Sequence, residues 1–201
     1  MRGNVKPLLR SDEGLTFVTH AVPELLASDI SELILVTGAS HHLVEEELVK
    51  AEFAAQGPRF RTSHNPNYRE GMLGSIQVGI QAANPRSDAF LICLVDQPFL
   101  NRRHYNEILR AHREDAGLHG LFRLAWHGRM GNPALLSARY REEVLAAKAM
   151  DRGCSFLFEN HEDDVRLVEV DDNAILVDID SPMDYEKFIL KASMKSDDGI
   201  L

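Results

Sequence analysis

The sequence is poor in cysteine. Its 201 residues hold two, Cys93 and Cys154. No Cys-x-x-Cys pair occurs, which argues against a thiolate zinc site. Cys93 lies inside the apolar run Phe90–Val95 and reads as a buried core thiol, so a reducing cytoplasm is the expected compartment. Long hydrophobic runs are also lacking. None approaches membrane-spanning length, and the opening residues Met1–Lys6 carry no secretory apolar region. Positive charge is short as well. Lys and Arg number 22 against 31 Asp and Glu, a net charge of -9. Nucleic acid and anionic membranes are therefore not expected partners, because both are themselves negative. A pocket for a phosphorylated small molecule remains open, since it needs only local cations and backbone N–H donors. Gly-x-Ser-x-Gly is absent, so no nucleophile elbow marks a serine hydrolase.

What is present is a balanced globular composition, 44% hydrophobic and 26% charged, at a length suited to one domain. Leu15, Val18, Val22, Leu25 and Leu26 fall on one helical face, with Pro23 kinking that helix or marking its start. Leu33–Thr37 reads as a short buried strand ending at Gly38, and Phe60–Ser63 as another. Ala89–Val95 is the most hydrophobic run and is expected to be the central strand. Helices are expected over His42–Ala54, Met72–Ala83, Asn101–Arg113, Ala138–Ala147 and Pro182–Leu190. Strands are expected over Leu121–Ala125, Val165–Val170 and Ile175–Ile179. This alternation predicts an α/β layered fold around a mostly parallel sheet, in one domain over residues 1–190 with a polar tail at 191–201.

Five segments can carry chemistry. Leu94-Val-Asp96-Gln97-Pro98 places an acid directly after a buried strand, at the sheet end where open α/β folds bind ligands. Asp96 either binds Mg²⁺, which takes one or two protein carboxylates, or simply ends the strand in a turn. In Val177-Asp178-Ile179-Asp180-Ser181-Pro182, two acids lie on the same side of an extended segment. Asp180 alternatively N-caps the following helix, which leaves Asp178 unexplained. From Asn65 to Gly79 a turn-rich loop opens into a helix with free N–H donors. Gly71, Ser75 and Gly79 form a small-residue stripe there, for close packing or ligand approach. Gly128-Arg-Met-Gly-Asn-Pro133 reads as a break between a strand and a helix, forming a substrate loop or merely a turn. Lys6, near Gly3, can neutralise a phosphate or stand as a surface lysine. The nine histidines suggest a metal, but His41 with Glu45 and His42 with Glu46 lack a third ligand at a recognisable spacing.

Taken together and in order, these segments resemble the MobA-like nucleotidyltransferases, closest to the molybdenum cofactor cytidylyltransferase branch. The resemblance runs from Gly3 to Phe188. It is carried by Gly3-Asn-Val-Lys6-Pro-Leu-Leu9, Leu33–Gly38, Asn65-Pro through Gly71 to Ser75, Val95-Asp-Gln-Pro98, Gly131-Asn-Pro133, Asp151-x-Gly153 and Asp178–Pro182. It implies a Rossmann-like three-layer nucleotidyltransferase fold. It also implies a Mg²⁺-dependent transfer in which an acceptor phosphate attacks the α-phosphorus of a nucleoside triphosphate and pyrophosphate leaves. CTP is implied over GTP, and molybdopterin as acceptor, with a molybdoenzyme as a possible further partner. By the same resemblance Asp96 is the first metal ligand and Asp178 or Asp180 the second carboxylate. Lys6 offsets triphosphate charge, and Gly3, Gly71, Ser75 and Gln97 border the nucleotide. The resemblance also implies an opening strand and a Gly-Ser phosphate loop ahead of Gly3, hence a translation start upstream of Met1. Ser155 stands where the resemblance implies an arginine. Two alternatives stay open: a noncatalytic relative that holds or delivers the cofactor, and a transferase for another phosphorylated small molecule.

Overall fold

The computed structural model describes residues 5–11, 14–148 and 151–187, apart from the side chains of 54–56. Gly3 and the tail 191–201 lie outside the described residues. Helix α1 (Phe17–Leu26) begins where Thr16 and Thr19 cap each other, each side chain accepting from the other's backbone N–H. Pro23 sits inside the helix without ending it. An interior proline costs about 3 kcal/mol. Burial of Val18, Val22 and Leu25 on one face offsets that cost.

Strand β1 (Leu33–Thr37) is followed by α2 (His41–Lys50), and β2 (Phe60–His64) by α3 (Met72–Ala82). β1 and β2 pair in parallel, Leu33 opposite Phe60 through Thr37 opposite His64. The small-residue stripe on α3 is used for packing: a Cβ at Gly79 would lie 3.2 Å from Val36 Cγ2 on β1.

Beyond α3 come β3 (Ala89–Ile92), α4 (Arg102–Glu114), β4 (Leu121–Trp126), β5 (Arg129–Ser137), α5 (Arg141–Ala146), α6 (Ser155–Asn160) and β6 (Val165–Glu169). These strands form a second sheet in the order β3-β5-β4-β6. β4 and β6 run parallel, while β5 runs antiparallel to both of its neighbours. Helices cover both sheet faces. One core holds Leu73, Ile80, Phe90, Leu121 and Leu136; the other holds Ile108, Phe122, Leu124 and Leu135. The α/β class thus holds, with a mixed second sheet.

Two expectations are corrected at strand level. Gly128–Pro133 reads as a break in sequence; Gly128 does lie in the turn after β4, yet Arg129–Pro133 open β5. Ala134–Leu136 there pair with strands on both sides, and that ladder outweighs the glycine and proline. Ile175–Ile179 is not a strand. Residues Ala174–Leu176 form a 3₁₀ turn, and the segment after it makes one backbone bond to the neighbouring chain, Ile179 N–H to the Asp96 carbonyl at 3.0 Å.

Among the described residues β1 pairs with β2 alone and β3 with β5 alone. Ala89–Val95 therefore borders a gap rather than a central partner. A slot of about 1060 Å³ separates the two sheets, lined along one side by Leu33–Thr37 and along the other by Ala89–Val95. Cys93 faces this slot, and burial pushes its thiol up to about 12, which leaves it inert.

Candidate active site

The β3 ladder ends at Ile92, and Asp96-Gln97-Pro98 follow in the turn region beyond it. The Ile179–Asp96 backbone bond lays the Asp178–Asp180 segment alongside this end. Ile179 is buried against Leu9 and Phe17. Side chains alternate along extended chain, so Asp178 and Asp180 turn the other way, toward Asp96. Lys6 comes from the N-terminal side, in a 3₁₀ turn over Lys6–Leu8 anchored by buried Leu9.

Lys6 Nζ donates to Asp96 Oδ2 and to Asp180 Oδ1, both at 2.7 Å. The two acids, 84 positions apart in sequence, thus share one cation. Burial works against the lysine charge, but the bonds to Asp180 and Asp96 outweigh it and hold its pKa above the ordinary lysine value. Asp96 is mostly buried and Asp180 70% exposed, so the electrostatic weight of the pair lies with Asp96. Asp96 Oδ1 is buried and has no hydrogen-bond partner among the described residues. Gln97 is buried; its Nε2 donates to Asp178 Oδ1 at 2.5 Å, and its own Oε1 is unpartnered. Burial, with Asp96 and Asp180 nearby, raises the Asp178 pKa despite the Gln97 bond.

The helix-cap alternative for Asp180 is removed. Residues 182–187 are helical, and Ser181 is the cap. Ser181 N–H and Oγ donate to Asp184 Oδ2 at 2.9 and 2.6 Å, and Asp184 N–H donates to Ser181 Oγ at 3.2 Å. The Asp180 carboxylate is left for Lys6.

Three carboxylates face one lysine here, and one buried oxygen is orphaned. That donor set fits a hard divalent cation held by one or two carboxylates, with Asp96 and Asp180 placed to hold it. Among the described residues no set of three or more His, Cys, Asp or Glu forms a ready-made metal cage. Magnesium, which fills its shell with water and phosphate oxygens, does not need one.

The structure brings together Lys6, Asp96, Gln97, Asp178 and Asp180. Gly71 and Ser75 stand apart from this cluster. Gly71, at φ 117°, begins α3, and Ser75 lines the slot with Val95. Ser75 Oγ accepts from Nδ2 of buried Asn65 at 3.0 Å, and Asn65 Oδ1 accepts from Asn67 N–H at 2.9 Å. The sequence reading missed Asn65 as a positioning residue; the signal was an Asn-Pro-Asn turn ten residues ahead of a helix serine. It also missed Arg123. That side chain sits mid-strand in β4, and nothing in its sequence neighbourhood sets it apart.

The MobA-like NTP transferase domain family matches residues 1–165. No curated protein matches the chain in sequence. Solved structures share the fold. A nucleotidyl transferase from Methanothermobacter is 24% identical with TM-score 0.72, covering 94% of this chain and 86% of its own. A 4-diphosphocytidyl-2C-methyl-D-erythritol synthase from Anaerococcus prevotii is 16% identical with TM-score 0.73, covering 96% and 92%. Rv0371c of Mycobacterium tuberculosis, solved as a manganese complex, is 18% identical with TM-score 0.69, covering 92% and 91%. Among the described residues no helix is long and apolar enough to cross a membrane.

Proposed function

The chain belongs to the MobA-like NTP transferase family and is a nucleotidyltransferase, and from that premise we propose that it transfers CMP from CTP to molybdopterin. The observation that carries this reading is the convergence of Asp96 and Asp180 on a single cation, beside an orphaned Asp96 oxygen. An oxygen of the acceptor phosphate attacks the α-phosphorus of CTP. The bond from that phosphorus to the bridging oxygen breaks, and pyrophosphate leaves with the electron pair. Such a transfer needs in-line positioning and charge neutralisation rather than a protein nucleophile. Magnesium held by Asp96 and Asp180 would supply Lewis-acid neutralisation of the phosphates. Lys6 balances the carboxylates and adds positive charge for the triphosphate. Gln97 fixes Asp178 through its Oδ1, whereas Asp180 shares Lys6 with Asp96, which makes Asp178 the weaker candidate for the second metal ligand. Gly71 and Ser75 present the start of α3 to the nucleotide.

The slot supports a further strand seated between β1 and β3. Its walls are apolar, and each edge facing it carries backbone groups that cost about 1–3 kcal/mol apiece when buried unpaired. A lysine-flanked apolar hexapeptide added to the protein is expected to slow amide hydrogen exchange in both β1 and β3. Unchanged exchange in both would remove the strand.

The functional test is incubation with CTP, Mg²⁺ and molybdopterin. Pyrophosphate released in step with CMP-molybdopterin is the expected result. No pyrophosphate from the protein with its sheet completed would remove the enzyme reading in favour of a noncatalytic cofactor carrier. The likeness to the methylerythritol cytidylyltransferase favours CTP, and makes an alditol phosphate the second acceptor to try.

A further inference from the structure

Among the described residues Arg123 has no counter-charge. Arg61, Arg103, Arg113, Arg139 and Arg166 each end on a carboxylate. Arg123 ends on none. Its Nη2 donates to Asn132 Oδ1 at a long 3.3 Å, its Nε is buried without a partner, and its guanidinium lies 5.1 Å from the centre of the Phe158 ring. Burial alone lowers its pKa from the ordinary arginine value. A cation–π contact contributes about 0.5–2 kcal/mol. Arg123 is half-buried, so its charge is partly withdrawn from water, and the ring and one long bond bring it no opposite charge.

Its position gives the missing charge a source. Arg123 pairs with Ala134 on β5, and Ala134 pairs with Ile92 on β3. Paired residues share a sheet face, so Arg123 and Ile92 lie on the same one, and Asp96 follows Ile92 by four residues, in the turn past the end of β3. Arg123 therefore stands two strands, about 10 Å, to the side of Ile92, on the sheet whose β3 strand leads into the Asp96 turn. Phe158, Ile76 and Ile92 pack on one core there, and a Cβ at Gly153 would touch Met72 and Ile76 at the start of α3.

We propose that Arg123 is a binding residue for a phosphate group of the acceptor, taken by the fork of guanidinium N–H donors. This rests on the nucleotidyltransferase reading above, and assigns the acceptor's anionic end to the β4 side of the Asp96 cluster.

Inorganic phosphate is the probe. The Nε–H resonance of Arg123 and thermal unfolding are followed with and without it, in the wild type, Arg123→Met and Arg123→Lys. Phosphate is expected to move the Arg123 resonance and raise the wild-type Tm. In Arg123→Met the phosphate affinity falls at least ten-fold while the phosphate-free Tm stays level or rises, because a half-buried charge without a counter-ion is gone. Arg123→Lys keeps a charge without the fork and falls between the two. A resonance unmoved by phosphate, together with a lowered phosphate-free Tm in Arg123→Met, overturns the inference and makes Arg123 a structural cation. The readout involves no turnover. A failed CTP assay with the phosphate response intact therefore counts against the transferase reading alone, and transfer without that response counts against Arg123 alone.

Discussion

Asp115 and Asp96 are two largely buried carboxylates of one chain, and their surroundings are opposite. Asp115 accepts from His119 N–H at 2.6 Å, His119 Nδ1 at 2.9 Å and Arg166 Nη1 at 3.0 Å. Burial would push its pKa up, but those bonds outweigh it and hold it down at about 2. Asp96 has one oxygen on Lys6 and the other on nothing, in a cluster where a neighbouring acid, Asp178, has a raised pKa. A carboxylate whose lone pairs are filled by its own fold is finished structure. One that the fold leaves half-filled is arranged for something that arrives later.

The contrast is broken or sharpened most strongly at Asp96 itself. Asp96→Asn should lower CMP transfer by about 10³-fold or more while leaving thermal stability within about 1 kcal/mol. Pyrophosphate release beside a denaturant melt measures both, and a variant that is destabilised yet active would erase the distinction. Lys6→Met comes next, with a loss of about 10- to 100-fold in kcat/KM for CTP, read from initial rates. Asp115→Asn should do the reverse. It leaves Arg166 and His119 facing an amide and lowers stability by about 2–3 kcal/mol, with kcat per folded molecule unchanged. The smallest effect is in pH. An aspartate whose folded pKa lies below its unfolded value stabilises the fold above about pH 4, and that contribution fades as pH falls toward about 2. Asp178, raised in the fold, acts with the opposite sign. Urea melts across this range should show the loss in the wild type and a flatter curve in Asp115→Asn.

Much of the fold was legible because local pattern and burial agree. Leu33–Thr37, Met72–Ala82 and Arg102–Glu114 lie close to where their periodicity places them. β5 was not legible. Its first residues carry glycine and proline, and only pairing with β4, continued by the two-sided ladder at Ala134–Leu136, makes them a strand. Ile175–Ile179 erred the other way: Ile175 and Ile179 are buried, but among the described residues the segment joins no ladder. At the site, Asp96 stood out because an acid after a strand has few local uses. Ser75 was visible as a helix serine, but its bond to Asn65 was not. Arg123 was invisible, since the absence of a partner is a property of space and not of sequence.

By itself the sequence determined the alternation of helices and strands, the acids that end the sheet and the family to which they belong, because these depend on residue type and short-range spacing. The tertiary structure alone decided that Asp180 rather than Asp178 meets Asp96 through Lys6, and that Ser181 takes the helix cap. It also decided that Arg123 is left with a charge and no acid. Each of these outcomes turns on distances of a few ångström between segments far apart in the chain. The free energy of a buried charge is settled by whatever lies within that distance.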